Sequence, residues 1–214
     1  PADYRAVNIK EYRPSFFCFD LQVHGIKGVH IELNVPGEHN VYNALAAFAC
    51  ASAAGCTPEQ CAAGIAAFRG AGRRFEFLGE NNGVTIADDY AHHPTELEAT
   101  LQAAMEMKYK HVWAVFQPFT YTRTQMLLDD FARVLSVADH VVMTEIMGSR
   151  ERAEDYTIRT KDLAAKIPGS VWFNTFDEVV DYVMRNAQPG DLVITLGCGD
   201  IYKAAKKMMA WKPE

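Results

Sequence analysis

Val84-Thr85-Ile86-Ala87-Asp88-Asp89-Tyr90-Ala91-His92-His93-Pro94-Thr95-Glu96 is the stretch on which the reading of this chain turns. It opens as a short β-branched run, the pattern of a strand entering a core. Two carboxylates, a phenol and two imidazoles then follow from Asp88 to His93, too much polarity for a buried segment. Pro94 biases His93 away from helix, and Thr95 and Glu98 stand at capping-box spacing ahead of Leu97, Leu101 and Ala104. The expected geometry is strand, polar turn, helix. In open α/β sheets, ligands collect in such a turn, past the carboxyl end of a strand and before a helix N-terminus.

Downstream, short apolar runs at 112–116, 140–144, 171–173 and 192–196 alternate with helix patterns near 123–136, 161–167, 176–186 and 201–211. That alternation predicts βαβ crossovers and an α/β, Rossmann-like, mainly parallel sheet. Just upstream, Phe75–Gly79 and Val84–Ala87 read as paired strands around the hairpin turn sequence Asn81-Asn82-Gly83. Gly70-Ala71-Gly72-Arg73-Arg74 is a break in composition and suggests two domains, 1–72 and 73–214. Before it, residues 15–24 and 28–35 predict a β-hairpin. An alanine-rich helix over 43–54 is expected next, with Asn40 as N-cap and Gly55 closing it. Thr57 and Pro58 then start a second helix with Cys61, Ile65 and Phe68 on one face. The chain opens on Pro1, and its first 35 residues read as the interior of something longer.

At 214 residues and 49% hydrophobic, the sequence can bury a sizeable core, and its net charge of -6 argues against nucleic acid or an anionic membrane as partner. Small-molecule chemistry is the better expectation. Cys18, Cys50, Cys56, Cys61 and Cys198 lack the close pairing of a zinc site and read as buried thiols of a reducing compartment. No apolar run is long enough to span a bilayer. A cytoplasmic setting without a metal site is expected.

In a parallel sheet the segments after the strands share one edge, so Asp88–His93, Gln117–Arg123, Glu145–Glu151 and Gly197–Asp200 should be neighbours. Arg123 there suits a carboxylate, or it pairs with Asp129 or Asp130 on its own helix. The Gly197-Cys198-Gly199-Asp200 turn could aim backbone N–H groups at an anion, or be a tight turn with Asp200 as N-cap. Asp88 and Asp89 are open to three roles: acid/base pair, metal ligands or ribose clamp. On an extended chain His92 and His93 point in opposite directions, so at most one faces the site. Asn40 and Asn43 share a helical face, where amides can read a purine edge or serve as a cap and a surface amide.

Taken together, Gly37-Glu38-His39-Asn40-Val41-Tyr42-Asn43-Ala44, Arg73-Arg74-Phe75-Glu76, Asp88 to Glu96, Phe116-Gln117-Pro118 with Thr120-Tyr121-Thr122-Arg123-Thr124, and Gly197-x-Gly199-Asp200-Ile201 resemble the Mur ligase family over about residues 36–214. The resemblance implies a bacterial cytoplasmic enzyme that uses ATP and Mg²⁺ to form an acyl phosphate on UDP-N-acetylmuramate, which the amine of L-alanine attacks. It also implies that 1–72 is the C-terminal part of a central ATP-binding domain and 73–214 a complete amino-acid-binding domain. The missing N-terminal and central domains of the same chain would complete the enzyme. By that likeness Asn40 and Asn43 face adenine, Arg74 the phosphates and Asp89 the ribose, while Tyr90, His92 and Arg123 form the amino-acid pocket.

The sequence departs from the family pattern at Phe119, where histidine is usual, and at Ile146-Met147-Gly148-Ser149-Arg150-Glu151. No G-x-x-x-x-G-K-[ST] phosphate loop occurs, so ATP and Mg²⁺ would be held largely elsewhere, no catalytic residue is assigned, and the chain alone is expected to be inactive. The alternatives are the family's murein-tripeptide recycling ligase and a non-catalytic nucleotide- or amino-acid-binding module. A Rossmann dehydrogenase is disfavoured because its glycine fingerprint is absent.

Overall fold

A computed structural model describes residues 2–213. The chain divides into two compact units between Gly70 and Ala71, two residues ahead of the boundary drawn from composition.

The larger unit is a six-stranded sheet of β4 (Glu76–Asn81), β5 (Val84–Asp89), β6 (Val112–Phe116), β7 (His140–Thr144), β8 (Val171–Phe173) and β9 (Leu192–Leu196). The spatial order is β4-β5-β9-β6-β7-β8, and every pairing is parallel except β4 with β5. Asn82 and Gly83 take positive φ of 53° and 80°, the backbone a two-residue hairpin needs. Along β6 alternate side chains enter different cores: Val112, Ala114 and Phe116 pack with α3 (Pro94–Glu106) and α5 (Leu128–Leu135), whereas Trp113 and Val115 pack with α7 (Phe176–Asn186) and α8 (Tyr202–Ala210). Burial on both faces explains the unbroken apolar runs. The last strand in sequence inserts between β5 and β6, which puts the turns after β5, β9 and β6 side by side at one edge.

The helices differ in detail from the sequence expectation. The α3 cap is His93, not Thr95: Glu96 Oε2 accepts from the amides of His92 at 3.0 Å and His93 at 3.3 Å, and Pro94 follows as first helical residue. Glu98 instead pairs with Arg133 at 2.8 Å. The single helix expected over 123–136 is two, α4 (Tyr121–Met126) and α5, broken at Leu127 where φ is -113° and ψ 23°. Asp200 is not an N-cap either; Ile201 holds that position before α8, without a side-chain bond. The remaining helix is the short α6 (Thr160–Ala164).

The smaller unit holds β1 (Tyr4–Arg13), β2 (Phe16–Val23) and β3 (Ile26–Glu32) in one antiparallel sheet, with α1 (His39–Ala53) and α2 (Pro58–Ala67). The expected hairpin is therefore extended by a third strand. Phe19, Leu21 and Ile31 from the sheet meet Val41, Phe48 and Cys61 from the helices. Thr57 caps α2 in a reciprocal box with Gln60, as its sequence predicts. Glu38 rather than Asn40 precedes α1, and Asn40 lies inside the helix. Cys18 and Cys61 are buried, but Cys50 and Cys56 are exposed and Cys198 is half-buried, so the expectation of five buried thiols holds for two. No described helix is long and apolar enough to cross a membrane.

At the sheet edge opposite the turns, Asp191 is almost fully buried and accepts from His111 Nδ1 at 3.0 Å, Trp113 Nε1 at 3.0 Å and the Gln188 amide at 2.9 Å. Burial pushes this carboxyl up, but the three donors outweigh it and hold Asp191 below its ordinary value of 3.8. Its stabilising contribution is therefore complete above pH 3.8 and is lost as pH falls below it. The stability gap between wild type and Asp191→Asn should narrow as pH is lowered from about 7 to about 3 in urea titrations. A gap of constant size across that range would contradict the assignment.

Candidate functional site

The four post-strand segments are tied to one another by backbone and side-chain hydrogen bonds. The Gly197 amide donates to Asp89 O at 3.1 Å and the Gln117 amide to Leu196 O at 3.0 Å. The side chain of Gln117 bonds the next turn in two directions, donating to Asp200 Oδ1 at 3.1 Å and accepting from the Ile201 amide at 3.2 Å. Pro118 O receives the Met147 amide at 2.9 Å, and Met147 O receives the Thr120 amide at 2.9 Å. Gly199 lies against this junction: a Cβ there would come within 2.5 Å of Gln117 Oε1 and of Met147 Sδ, so only glycine fits without displacement.

Thr120 has φ +65°, a left-handed conformation that β-branched residues avoid. The two-way bridge to Met147 and the bond from Thr124 Oγ1 to Thr120 O at 2.8 Å hold it there. This bend starts α4 and sets Arg123 on the rim. Its guanidinium lies 5.9 Å from the centroid of Phe119, whose ring is 6.3 Å from that of His92, and His92 is in turn 5.7 Å from Tyr90. Arg123 and the Tyr90–His92 pair, far apart in sequence, thus share one rim, bridged by Phe119.

Arg123 does not take the local partners open to it. Asp129 pairs with Lys166 at 2.7 Å, and the Asp130 carboxylate lies 3.9 Å from Arg133. Arg123 Nη1 is buried and has no hydrogen-bond partner among the described residues. An unmet buried donor on a cation carries a large desolvation cost, which an incoming carboxylate would relieve. Around it, Glu151 Oε2 accepts from the Thr122 amide at 3.0 Å. Burial pushes the Glu151 carboxyl up, yet the donors at Thr122 and Tyr121 and the charge of Arg123 leave it below its ordinary value. Cys198 lies within electrostatic reach of Arg123, Arg73 and Glu96, and burial, opposed by the two arginines, raises its thiol.

His92 and His93 diverge as an extended chain requires. His92 stays on the rim, with Nδ1 3.2 Å from Glu96 Oε2, while His93 turns to cap α3 and accepts from the Thr95 amide at 3.3 Å. Asp88 and Asp89 also diverge, which removes the acid/base pair from consideration. Asp88 Oδ2 accepts from Arg73 Nε at 2.7 Å and Oδ1 from Thr195 Oγ1 at 2.6 Å. Asp89 is turned inward at 6% exposure, with its oxygens accepting from the amides of Phe75 at 2.8 Å and Ala91 at 2.7 Å. Burial raises its carboxyl above the ordinary value, against the pull of those amides and of Arg74. Asp89 is left with only the lone pairs that those two amides do not use.

Arg74 is exposed, its guanidinium 5.4 Å from the centroid of Tyr90. Asn40 donates to Pro36 O at 2.7 Å and accepts from Asn43 Nδ2 at 2.9 Å. The two amides sit at a cavity of about 370 Å³ in the smaller unit, lined also by Val35, Ala44, Ile65 and Phe68. Sequence reasoning missed the side chains of Arg73 and Gln117, whose side-chain partners all come from distant segments. Among the described residues, no group of three His, Cys, Asp or Glu side chains is placed to hold a cation.

The profile described as Mur ligase, glutamate ligase domain, matches residues 73–199. The UDP-N-acetylmuramate–L-alanine ligase of Acetivibrio thermocellus is 40% identical over 212 residues, covering 97% of this chain and 45% of the relative. The ligase of the same name from Lachnospira eligens is 44% identical over 195 residues, covering 89% and 42%. The chain therefore spans about half the length of the curated relatives it matches. In fold, it superposes on the UDP-N-acetylmuramate-alanine ligase of Thermotoga maritima with a TM-score of 0.82 at 24% identity, over 98% of this chain and 46% of that one. The murein peptide ligase of Psychrobacter arcticus gives 0.67 at 24% identity, over 98% and 44%.

Proposed function

The chain belongs to the Mur ligase family, and from that premise we propose that it is part of a cytoplasmic, ATP-dependent ligase that adds L-alanine to UDP-N-acetylmuramate in peptidoglycan synthesis. Residues 1–72 would complete the central ATP-binding domain and 73–214 would form the amino-acid-binding domain. The observation that carries this reading is the buried, unpartnered Nη1 of Arg123 on a rim shared with Tyr90 and His92. A small zwitterion fits that arrangement: its carboxylate meets Arg123, and its amine is left free to point outward.

In the reaction, ATP supplies the phosphoryl group that activates the lactyl carboxylate of the sugar. The part played by this chain is positional. Arg123 would fix the amino acid by its carboxylate while Tyr90, His92 and Phe119 wall the pocket, so that the amine meets the acyl phosphate in a defined direction. Arg74, exposed over Tyr90, fits the phosphates, and Asn40 and Asn43 fit an adenine edge. Asp89 would reach the ribose only through its remaining lone pairs. Mg²⁺ would be held largely by other parts of the parent enzyme together with the phosphates of ATP.

The test is ligation by the full-length enzyme carrying this sequence, with UDP-N-acetylmuramate and either L-alanine or the murein tripeptide as acceptor. L-Alanine should be used and the tripeptide ignored, and residues 1–214 alone should show no turnover. Tripeptide addition would move the assignment to the recycling ligase, and turnover by the isolated chain would overturn the division of labour.

A further inference from the structure

We propose that Arg73 is a positioning residue for the amino-acid site, a clamp that holds the turn after β5 and the turn after β9 in register; this deepens the ligase reading above and rests on it. All three guanidinium nitrogens are engaged by protein: Nε donates to Asp88 Oδ2 at 2.7 Å, Nη2 to Gly197 O at 2.7 Å and Nη1 to Gly199 O at 3.1 Å. The same guanidinium lies 5.0 Å from the centroid of Tyr90 and 4.7 Å from that of Tyr202. Its backbone is committed too, the amide donating to Glu76 Oε2 at 2.7 Å and the carbonyl accepting from the Tyr90 amide at 2.7 Å. One residue therefore ties the start of β4, the end of β5, Tyr90, the 197–199 turn and α8.

Arg73 pays for this with φ +59°, a left-handed backbone unusual outside glycine and asparagine. Arg74 beside it is exposed, and among the described residues its guanidinium has no comparable network: it lies against the Tyr90 ring and within the fields of Asp89 and Glu96. The two arginines thus divide the work, one facing ligand and one facing protein. The clamp reaches Arg123 through covalent and hydrogen-bonded neighbours: Gly199 adjoins Asp200, Asp200 accepts from Gln117, and Gln117 begins the loop that ends in the Thr120 bend. Slack at residue 73 is transmitted to both walls of the pocket.

A planar group that spreads its donors over three separate nitrogens is what lysine cannot supply, and that makes the inference testable. In the full-length ligase, Arg73→Lys and Arg73→Gln should lower kcat by a similar factor, about 30- to 100-fold, with the KM for ATP changed less than about threefold. Amide exchange in 90–93 and 197–201 should quicken about tenfold in both variants and stay as in wild type in Arg74→Lys. Tyr202→Leu, which removes one ring and leaves the hydrogen bonds, should give a smaller fall in kcat and covers the case in which the Arg73 variants do not fold. Retention of wild-type kcat by Arg73→Lys, or a loss confined to the KM for ATP, overturns the proposal. If the wild-type enzyme does not ligate L-alanine the functional reading fails, and the exchange data alone then decide whether Arg73 is the clamp.

Discussion

Arg123→Ala in the full-length ligase is expected to raise the KM for L-alanine about 100-fold, the consequence of losing a charge-assisted, two-pronged bond worth about 3 kcal/mol. The KM for ATP should stay within about twofold, because among the described residues no hydrogen bond or ion pair links Arg123 to Arg74 or Asp89, and only the rings of Phe119, His92 and Tyr90 lie between it and Arg74. The size of the effect follows from the setting. Nη1 is already buried and unpaired, so part of the desolvation cost of the cation is met before ligand arrives, and the Phe119 ring stands 5.9 Å from the guanidinium. Arg123→Lys keeps a charge but not the fork and should recover part of the affinity. Steady-state kinetics with varied L-alanine and varied ATP separate these outcomes. A rise in the KM for ATP with that for L-alanine unchanged would mean the guanidinium serves the other substrate.

The placement of Arg123 was legible because it needed only a general rule. Residues 112–116 and 192–196 are apolar at every position, which marks strands buried on both faces, and parallel strands bring their following turns to one edge. The unpaired Nη1 was not legible, since Asp129 and Asp130 follow Arg123 closely in sequence and only the structure shows them turned to Lys166 and Arg133. Local competition misled in the same way at the head of α3. Thr95 and Glu98 have capping spacing, but Glu96 reaches back to the amides of His92 and His93, which have no partner within the helix, and that pairing wins. The break at Leu127 carries no glycine or proline, so nothing in the sequence announces it. The strand Tyr4–Arg13 is mostly exposed, and its register with β2 slips between Val7 and Lys10 and again between Glu11 and Arg13, which erases the alternation that would have revealed it. Arg73 was invisible for a different reason: its partners lie at positions 88, 197 and 199, brought together only when β9 inserts beside β5.

Asp88→Ala should be among the most damaging single changes to the stability of the 71–214 unit, costing about 3 kcal/mol. Asp88 is 1% exposed and joins two donors, Arg73 Nε at 2.7 Å and Thr195 Oγ1 at 2.6 Å. Its removal strands a partly buried guanidinium and a buried hydroxyl at once, and stranding one partner of a buried pair costs far more than the pair contributes. For a unit of this size the midpoint of thermal unfolding should fall by roughly 10 °C. Tryptophan fluorescence reports on this unit alone, because Trp113, Trp172 and Trp211 all lie in it. Asp88→Asn keeps an acceptor and the volume and should lose about half as much, while Arg133→Ala, which breaks an exposed pair with Glu98, should shift the midpoint by no more than about 2 °C. If Asp88→Ala moved the midpoint as little as Arg133→Ala, the Thr195–Asp88–Arg73 chain would be ornamental to the sheet edge, and the clamp at residue 73 would lose its anchor.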